Sequence, residues 1–163
     1  MDIKIKIRPV KSTDVDDLQR NIYSQNSLNQ VEKNVNNSLA EMKEGIAVHV
    51  VAATDREVVG NMKVVFNQHI LHRHRAELFD VVVNPKYQGR GIARLLFDEC
   101  KKICIGKGIS ILETSVRGGT HAEDVYRKLG FIQYGKLPRG ISESWGNKKV
   151  FDQVFFYLNL DQN

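Results

Sequence analysis

The segment Val81-Val82-Val83-Asn84-Pro85-Lys86-Tyr87-Gln88-Gly89-Arg90-Gly91-Ile92-Ala93 constrains this chain more than any other stretch. Three successive valines read as a buried strand, Asn-Pro interrupts it, and the residues after Gly91 recur at helical spacing. A strand that passes through a short turn into an amphipathic helix belongs to layered α/β or α+β architectures. The junction is also a candidate anion site. A helix N-terminus offers unpaired N–H groups and a positive dipole end, and Gly89 and Gly91 would let a pyrophosphate approach the backbone with no Cβ in the way. It lacks the Gly-Lys-Ser/Thr of a Walker loop, and it is not the Gly-x-Gly-x-x-Gly dinucleotide fingerprint. Out of context, two glycines before a helix are equally well plain turn residues.

The remaining elements alternate in the same way, without repeats or low-complexity tracts. Ile3, Ile5 and Ile7 alternate with lysines as a first strand, and Ser12 or Thr13 is placed to cap a helix carrying Val15, Leu18 and Ile22. Leu28, Val31, Val35, Leu39 and Met42 form the apolar stripe of a second helix, which Gly45 ends. Two β-rich runs, Ile46–Ala53 and Val58–Phe66, flank a hairpin turn at residues 54–57. A strand is expected over Ala76–Val83. Residues 91–105 then place Ile92, Leu95, Leu96, Cys100, Ile103 and Cys104 on one helical face. Ile109–Val116 reads as a strand, Thr120–Leu129 as a helix, and Phe131–Tyr134 and Val150–Leu158 as closing strands around a turn at Trp145-Gly146-Asn147.

The 163 residues suit one domain spanning the whole chain, and 42% apolar with 26% charged residues places it among globular sequences. No run is apolar and long enough for a membrane span, and the start of the chain alternates where a signal peptide would be continuously apolar, so the expected location is cytoplasmic, with no membrane partner. Cys100 and Cys104 are read as two half-buried helix residues, neither of them a nucleophile. The net charge of +5 fits a mildly basic surface or a phosphate-rich ligand. No basic stripe with interleaved aromatics points to nucleic acid, which is therefore not expected as a partner.

Gln88-Gly89-Arg90-Gly91-Ile92-Ala93 resembles the Gln/Arg-x-x-Gly-x-Gly/Ala signature of GNAT acetyltransferases, at the strand-to-helix junction where that family carries it. Ala76-Glu77-Leu78 resembles the start of the family's fourth strand, and Tyr126-Arg127-Lys128-Leu129-Gly130-Phe131 resembles its Tyr-x-x-x-Gly-Phe motif. The resemblance covers residues 46–131 well and the rest loosely. It implies a mixed, twisted central sheet flanked by helices, with acetyl-coenzyme A in the splay between the strands Ala76–Val83 and Ile109–Val116. It further implies that the N–H groups of Gly89, Arg90, Gly91, Ile92 and Ala93 hold the pyrophosphate, with Gln88 opening the loop and Arg90 and Arg94 adding charge. The strand Val81-Val82-Val83 would pair with the pantetheine arm as an added strand. Its plainer reading is a core strand.

Acyl transfer by direct attack needs a neutral amine, an N–H for the developing oxyanion and an acid for the departing thiolate. The resemblance gives Tyr126 the acid's role, against a reading as an aromatic packed on the sheet. Glu77 stands eleven positions before Gln88, where some members carry a base, and reads equally as an exposed carboxylate. Asp80, in an otherwise apolar strand, is the rival base, since a carboxylate there must find a partner or line a cavity. Thr120-His121-Ala122-Glu123 reads as a capping box. One departure concerns pantetheine: many members have an asparagine seven residues before the tyrosine, and Gly119 stands there instead.

His69, His72 and His74 lie in one loop, but their spacing matches no closed zinc site, so no metal is expected and a solvated loop at the substrate mouth is. The expected activity is acetyl-coenzyme A-dependent acetylation of a primary amine of a small molecule, without an acetyl-enzyme. Specificity is assigned to the first two helices, the histidine loop and residues 137–149, with Trp145 packing or covering the acceptor. A peptide or protein amine as acceptor, a non-catalytic acyl-coenzyme A sensor on the same fold, and a homodimeric assembly are left open by the residues.

Overall fold

Ser27 starts the longest helix of the N-terminal half: its hydroxyl accepts from the Gln30 N–H while the Gln30 side chain accepts from the Ser27 N–H, a reciprocal cap. The helix that follows, Leu28–Lys43, buries Val31 and Val35 and ends before Gly45, whose φ of +74° is left-handed. The same logic, apolar spacing between caps and breakers, recurs throughout the computed structural model, which describes residues 3–161. In chain order the elements are β1 (Lys6–Pro9), α1 (Val15–Asn21), α2 (Leu28–Lys43), β2 (Ala47–Ala53), β3 (Val58–Phe66), β4 (Arg75–Val83), α3 (Ile92–Gly106), β5 (Ile111–Arg117), α4 (His121–Lys128), β6 (Ile132–Ser142) and β7 (Val150–Asn159).

The strands form one seven-stranded sheet in the order β1-β2-β3-β4-β5-β7-β6. Its neighbours are antiparallel except β4 and β5, which run parallel. This is the mixed, helix-flanked α/β sheet expected above. Two apolar clusters hold it. The larger joins Leu96, Phe97, Cys100 and Cys104 of α3 to Val50, Met62, Leu78, Leu112 and Phe156 of the sheet, and extends to Tyr126 of α4 and the following Phe131. The smaller packs Leu18, Val31 and Val35 of α1 and α2 against Val51, Ala53 and Val58. Each fully buried large aliphatic or aromatic side chain contributes roughly 1.5–3 kcal/mol, so the larger cluster dominates stability.

Four local expectations change. The first strand spans Lys6–Pro9, so Ile3 and Ile5 precede it. The turn into α1 is closed by Asp14, which accepts from the Lys11 N–H at 2.8 Å and pairs twice with Arg8, and not by Ser12 or Thr13. Cys100 and Cys104 are fully buried, which lifts both thiols well above their ordinary pKa, Cys104 to about 12. The strand expected over Phe131–Tyr134 is the eleven-residue edge strand β6, which includes Pro138 and carries irregularities between Gln133 and Gly135 and between Leu137 and Ile141. An edge strand pairs on one side only, so a proline there costs no ladder bond.

Candidate active site

The turn between β4 and α3 is built by short side chains that close on the backbone. The Asn84 carboxamide accepts from the Lys86 N–H at 3.0 Å, and the Gln88 amide donates to the Val83 carbonyl at 3.1 Å. Gly89 and Gly91 both sit at φ +75°, and Gly91 caps α3. A Cβ on either would meet nothing within 4 Å, so packing does not demand glycine there; the left-handed backbone does. Among the described residues, no protein atom accepts from the N–H groups of residues 89–93. Gly89, Gly91, Ile92 and Ala93 line one end of a groove of about 330 Å³, so their free N–H groups and that of Arg90 lie where an anion such as a pyrophosphate could be met.

That groove is lined by Val81, Val82, Val83, Gln88, Gly89, Gly91, Ile92 and Ala93 on one side and by His121, Ala122 and Val125 of α4 on the other. Neither of the two arginines expected to add charge lines the groove, although Arg90 lies against Tyr87, which does. Arg90 stacks over the Tyr87 ring at 5.8 Å, and Arg94 donates to the Lys128 carbonyl at 3.2 Å. A long cation outside a groove finds nearer partners, which the linear pattern does not reveal.

The parallel strands part soon after they meet. β4 and β5 pair from Arg75 with Ile111 to Glu77 with Glu113 and then stop, and the Thr114 hydroxyl donating to the Leu78 carbonyl at 2.9 Å is the last tie. Asp80 marks the divergence, with φ +53°, and the register against β3 shifts there: Lys63 faces Phe79 while Asn61 faces Val82. One residue of β3 thus opposes two of β4, a bulge that bends the strand. The space between the strands is a cavity of about 330 Å³ lined by Glu77, Asp80, Val81 and Val82, by residues 114–117, and by Thr120, Ala122 and Tyr126. It shares Val81, Val82 and Ala122 with the groove, so the two adjoin.

Tyr126 is buried in this cavity's wall, edge-on to Phe131 at 5.4 Å. Burial raises its hydroxyl to about 12, the Thr114 side chain opposing and Asp80 adding to the shift, so it keeps its proton at neutral pH. Thr120 does not complete the expected capping box. Its hydroxyl donates to the Arg117 carbonyl at 2.7 Å, and Glu123 accepts from the Gly119 N–H at 2.6 Å instead.

The two carboxylates lie on either side of Phe79. Glu77 opens on a cavity of about 370 Å³ that also holds Arg75, Glu113 and Tyr134. There Glu113 is engaged by Arg75 and by the Tyr134 hydroxyl, whereas Glu77 has no hydrogen-bond or ion-pair partner among the described residues. Partial enclosure, and next the Glu113 charge, raise the Glu77 carboxyl above its ordinary pKa. Asp80 opens on a cavity of about 330 Å³ beneath α2, lined also by Tyr23, Glu41, His49 and Lys63. Its exposed carboxylate lines this cavity and also finds a partner, accepting from the Tyr23 hydroxyl at 3.2 Å. His49 and Asn61, both buried, connect to that carboxylate through Tyr23 and were not singled out in the sequence. The signal was present, since each interrupts an apolar β-run with a polar side chain, as Asp80 does.

The histidine loop makes no cluster able to hold a metal among the described residues; His69 and His72 lie with ring centres 4.9 Å apart and His69 caps a short 3-10 turn. Trp145 is exposed, 6.0 Å from the Arg117 guanidinium, and lines neither the groove nor the cavity between the strands.

The Acetyltransferase (GNAT) domain family matches residues 19–139, which include the glycine turn, the splay and Tyr126. The chain belongs to the GNAT acetyltransferase family. It is accordingly an N-acetyltransferase whose acyl donor is acetyl-coenzyme A. Solved structures share its fold at low identity. A putative acetyltransferase from Salmonella typhimurium, solved with its cofactor acetyl-CoA, is 18% identical with a TM-score of 0.79, over 98% of this chain and 95% of that one. A ribosomal-protein-alanine N-acetyltransferase from Brucella melitensis is 22% identical with a TM-score of 0.77, over 94% and 99%. A spermidine N-acetyltransferase chimera from Vibrio cholerae and hSSAT is 16% identical with a TM-score of 0.78, over 97% and 96%. No described helix of this GNAT member is long and apolar enough to cross a membrane.

Proposed function

We propose that this acetyltransferase moves the acetyl group directly from acetyl-coenzyme A to a primary amine of a small molecule. The observation that carries the reading is that the groove and the splay cavity adjoin, with the unpaired N–H groups of residues 89–93 beside the one and a buried, protonated tyrosine and two carboxylates lining the other. Acetyl-coenzyme A supplies the acetyl thioester: the amine nitrogen bonds to the acetyl carbon, the carbon–sulfur bond breaks, and the thiolate departs. Residues 89–93 bind phosphate oxygens through their N–H groups. Val81, Val82 and Val83 offer a strand edge that β5 has left, to which an extended amide chain can add. Tyr126 holds the proton that the leaving thiolate takes up.

The chemistry of the cysteines supports direct transfer. No cysteine lines the splay cavity, and both cysteines are buried in the core with raised pKa values. Initial rates measured against both substrates are expected to give intersecting double-reciprocal lines. Parallel lines, the sign of a covalent acetyl-enzyme, would overturn the direct route.

Glu77 is the base in this reading because it is free, partly enclosed and raised in pKa, whereas Asp80 is already a hydrogen-bond acceptor. Glu77→Gln is expected to lower kcat/KM at neutral pH by ~10²–10⁴-fold, and more than Asp80→Asn does. The loss shrinks in alkaline buffer as the amine, with an ordinary pKa near ~10, sheds its own proton. The carboxyl's raised folded pKa also fixes the sign of its stability effect. In acid, Glu77 is protonated in both states and costs nothing; as the pH rises through the unfolded and then the folded value, its ionisation destabilises the fold. Glu77→Gln should therefore melt no lower than wild type at neutral pH. An alkaline-rescued defect in Asp80→Asn alone would exchange the two roles.

A further inference from the structure

Asp80 holds a left-handed φ of +53° in the interior of a strand, a conformation uncommon for non-glycine residues, which aspartate tolerates better than most but which an extended strand does not supply. A chain of polar side chains crossing the sheet holds it there. Asn61 donates from one amide nitrogen to the Asp80 carbonyl at 3.1 Å and to the Tyr23 hydroxyl at 2.8 Å. Tyr23 in turn donates to the Asp80 carboxylate at 3.2 Å. Both Asn61 contacts require its nitrogen on that side, so its oxygen faces His49 and accepts from the imidazole Nε2–H. Main chain and side chain of Asp80 are thus gripped by one network.

Core stability does not account for these residues. Asn61 is fully buried, His49 is 3% exposed, and their neighbours in β2 and β3 are mostly valine and alanine, with Met62 and Phe66. A buried amide and imidazole cost stability unless every polar atom is satisfied, and the His49 Nδ1 has no partner among the described residues. An apolar pair would pack there without that cost. What the network does control is the bulge from which β4 leaves β5 and the splay cavity opens.

We propose that Asn61, held by His49, is a positioning residue for acetyl transfer: through the Asp80 carbonyl and Tyr23 it fixes the bulge and hence the strand edge at Val81 and Val82 that faces the reaction. The inference rests on the acetyl-transfer reading above, and it predicts coupling to Asp80 in place of a general loss of stability. Glycine adopts a left-handed φ unaided, so Asp80→Gly removes both the carboxylate and the need for support. Asn61→Ala is expected to lower kcat by ~10- to 100-fold while acetyl-coenzyme A affinity stays within a few-fold. In the Asp80→Gly background, the same substitution is expected to add almost nothing. Equal fold-losses in the two backgrounds would overturn the proposal, because independent effects multiply in rate. A drop in cofactor affinity as large as that in kcat would overturn it too.

If Asn61→Ala does not fold, Tyr23→Phe, which deletes one hydroxyl and keeps the ring, goes through the same cycle with the same expected non-additivity. If wild type turns over no amine, the functional reading fails, and amide hydrogen exchange decides this one. Asn61→Ala, or Tyr23→Phe in its place, must then speed exchange at Val81 and Val82 more than in α3, and unchanged protection there overturns the inference.

Discussion

Gly91→Glu is expected to bind acetyl-coenzyme A at least ~100-fold more weakly than wild type, with the fold intact. The position caps α3 at φ +75°, and a new Cβ would meet nothing within 4 Å, so the side chain has room in the unliganded protein. The backbone strain of a left-handed non-glycine residue is roughly 1–2 kcal/mol. The larger effect falls on the ligand. A carboxylate at the helix N-terminus occupies the field and the donors that a pyrophosphate would use, and it repels the phosphate's charge. Gly91→Ala separates the two causes: it carries the strain without the charge and should retain most of the affinity. Calorimetric titration of both variants, with melting curves to confirm folding, checks the pair. Wild-type affinity in a folded Gly91→Glu protein would remove residues 88–93 from the cofactor site.

Tyr126→Phe is expected to lower turnover by ~10²–10⁴-fold, the usual worth of a general acid when its step limits the rate. The ring stays, and with it the edge contact to Phe131 and the stacking on Phe156 at 6.2 Å, so cofactor affinity and melting temperature should barely move. Burial keeps the hydroxyl protonated through the working pH range, which suits a donor and excludes a tyrosinate base. Single-turnover rates are the right readout, because slow product release would mask a change in the chemical step. A phenylalanine variant with wild-type single-turnover rates would make water the acid and leave Tyr126 as a packing residue.

Legibility in the sequence followed how local each cause is. α2 was readable because its stripe and its glycine stop lie within one run of residues. The β2–β3 hairpin was readable for the same reason, with Thr54 accepting from the Arg56 and Glu57 N–H groups inside the turn. The junction at residues 88–93 combined both kinds of signal, two glycines and an apolar helix face, and its glycines do adopt the left-handed backbone. β6 was only half visible. Exposed along most of its length and interrupted by Gly135, Pro138 and Gly140, it shows no inward-outward alternation, and its partner β7 alone decides that it is a strand. The directions of Arg90 and Arg94 were also out of reach, since a long exposed side chain chooses among partners distant in sequence. Asp80 lay between these cases. A carboxylate among valines signalled an unusual environment, but the bulge depends on Asn61 and Tyr23 from other elements, and only the folded sheet brings them together.

Amine-dependent release of the coenzyme A thiol tests the account most directly. Wild-type protein, acetyl-coenzyme A and a panel of small primary amines are combined, with lysine-bearing and N-terminal peptides alongside, and the free thiol is followed while mass spectrometry identifies the product. The account predicts saturable thiol release with at least one small amine, matched mole for mole by its N-acetylated product and suppressed in Tyr126→Phe. Tight acetyl-coenzyme A binding with no thiol release across the small amines and the peptides would contradict it, and would make the chain a binder of the cofactor that performs no transfer.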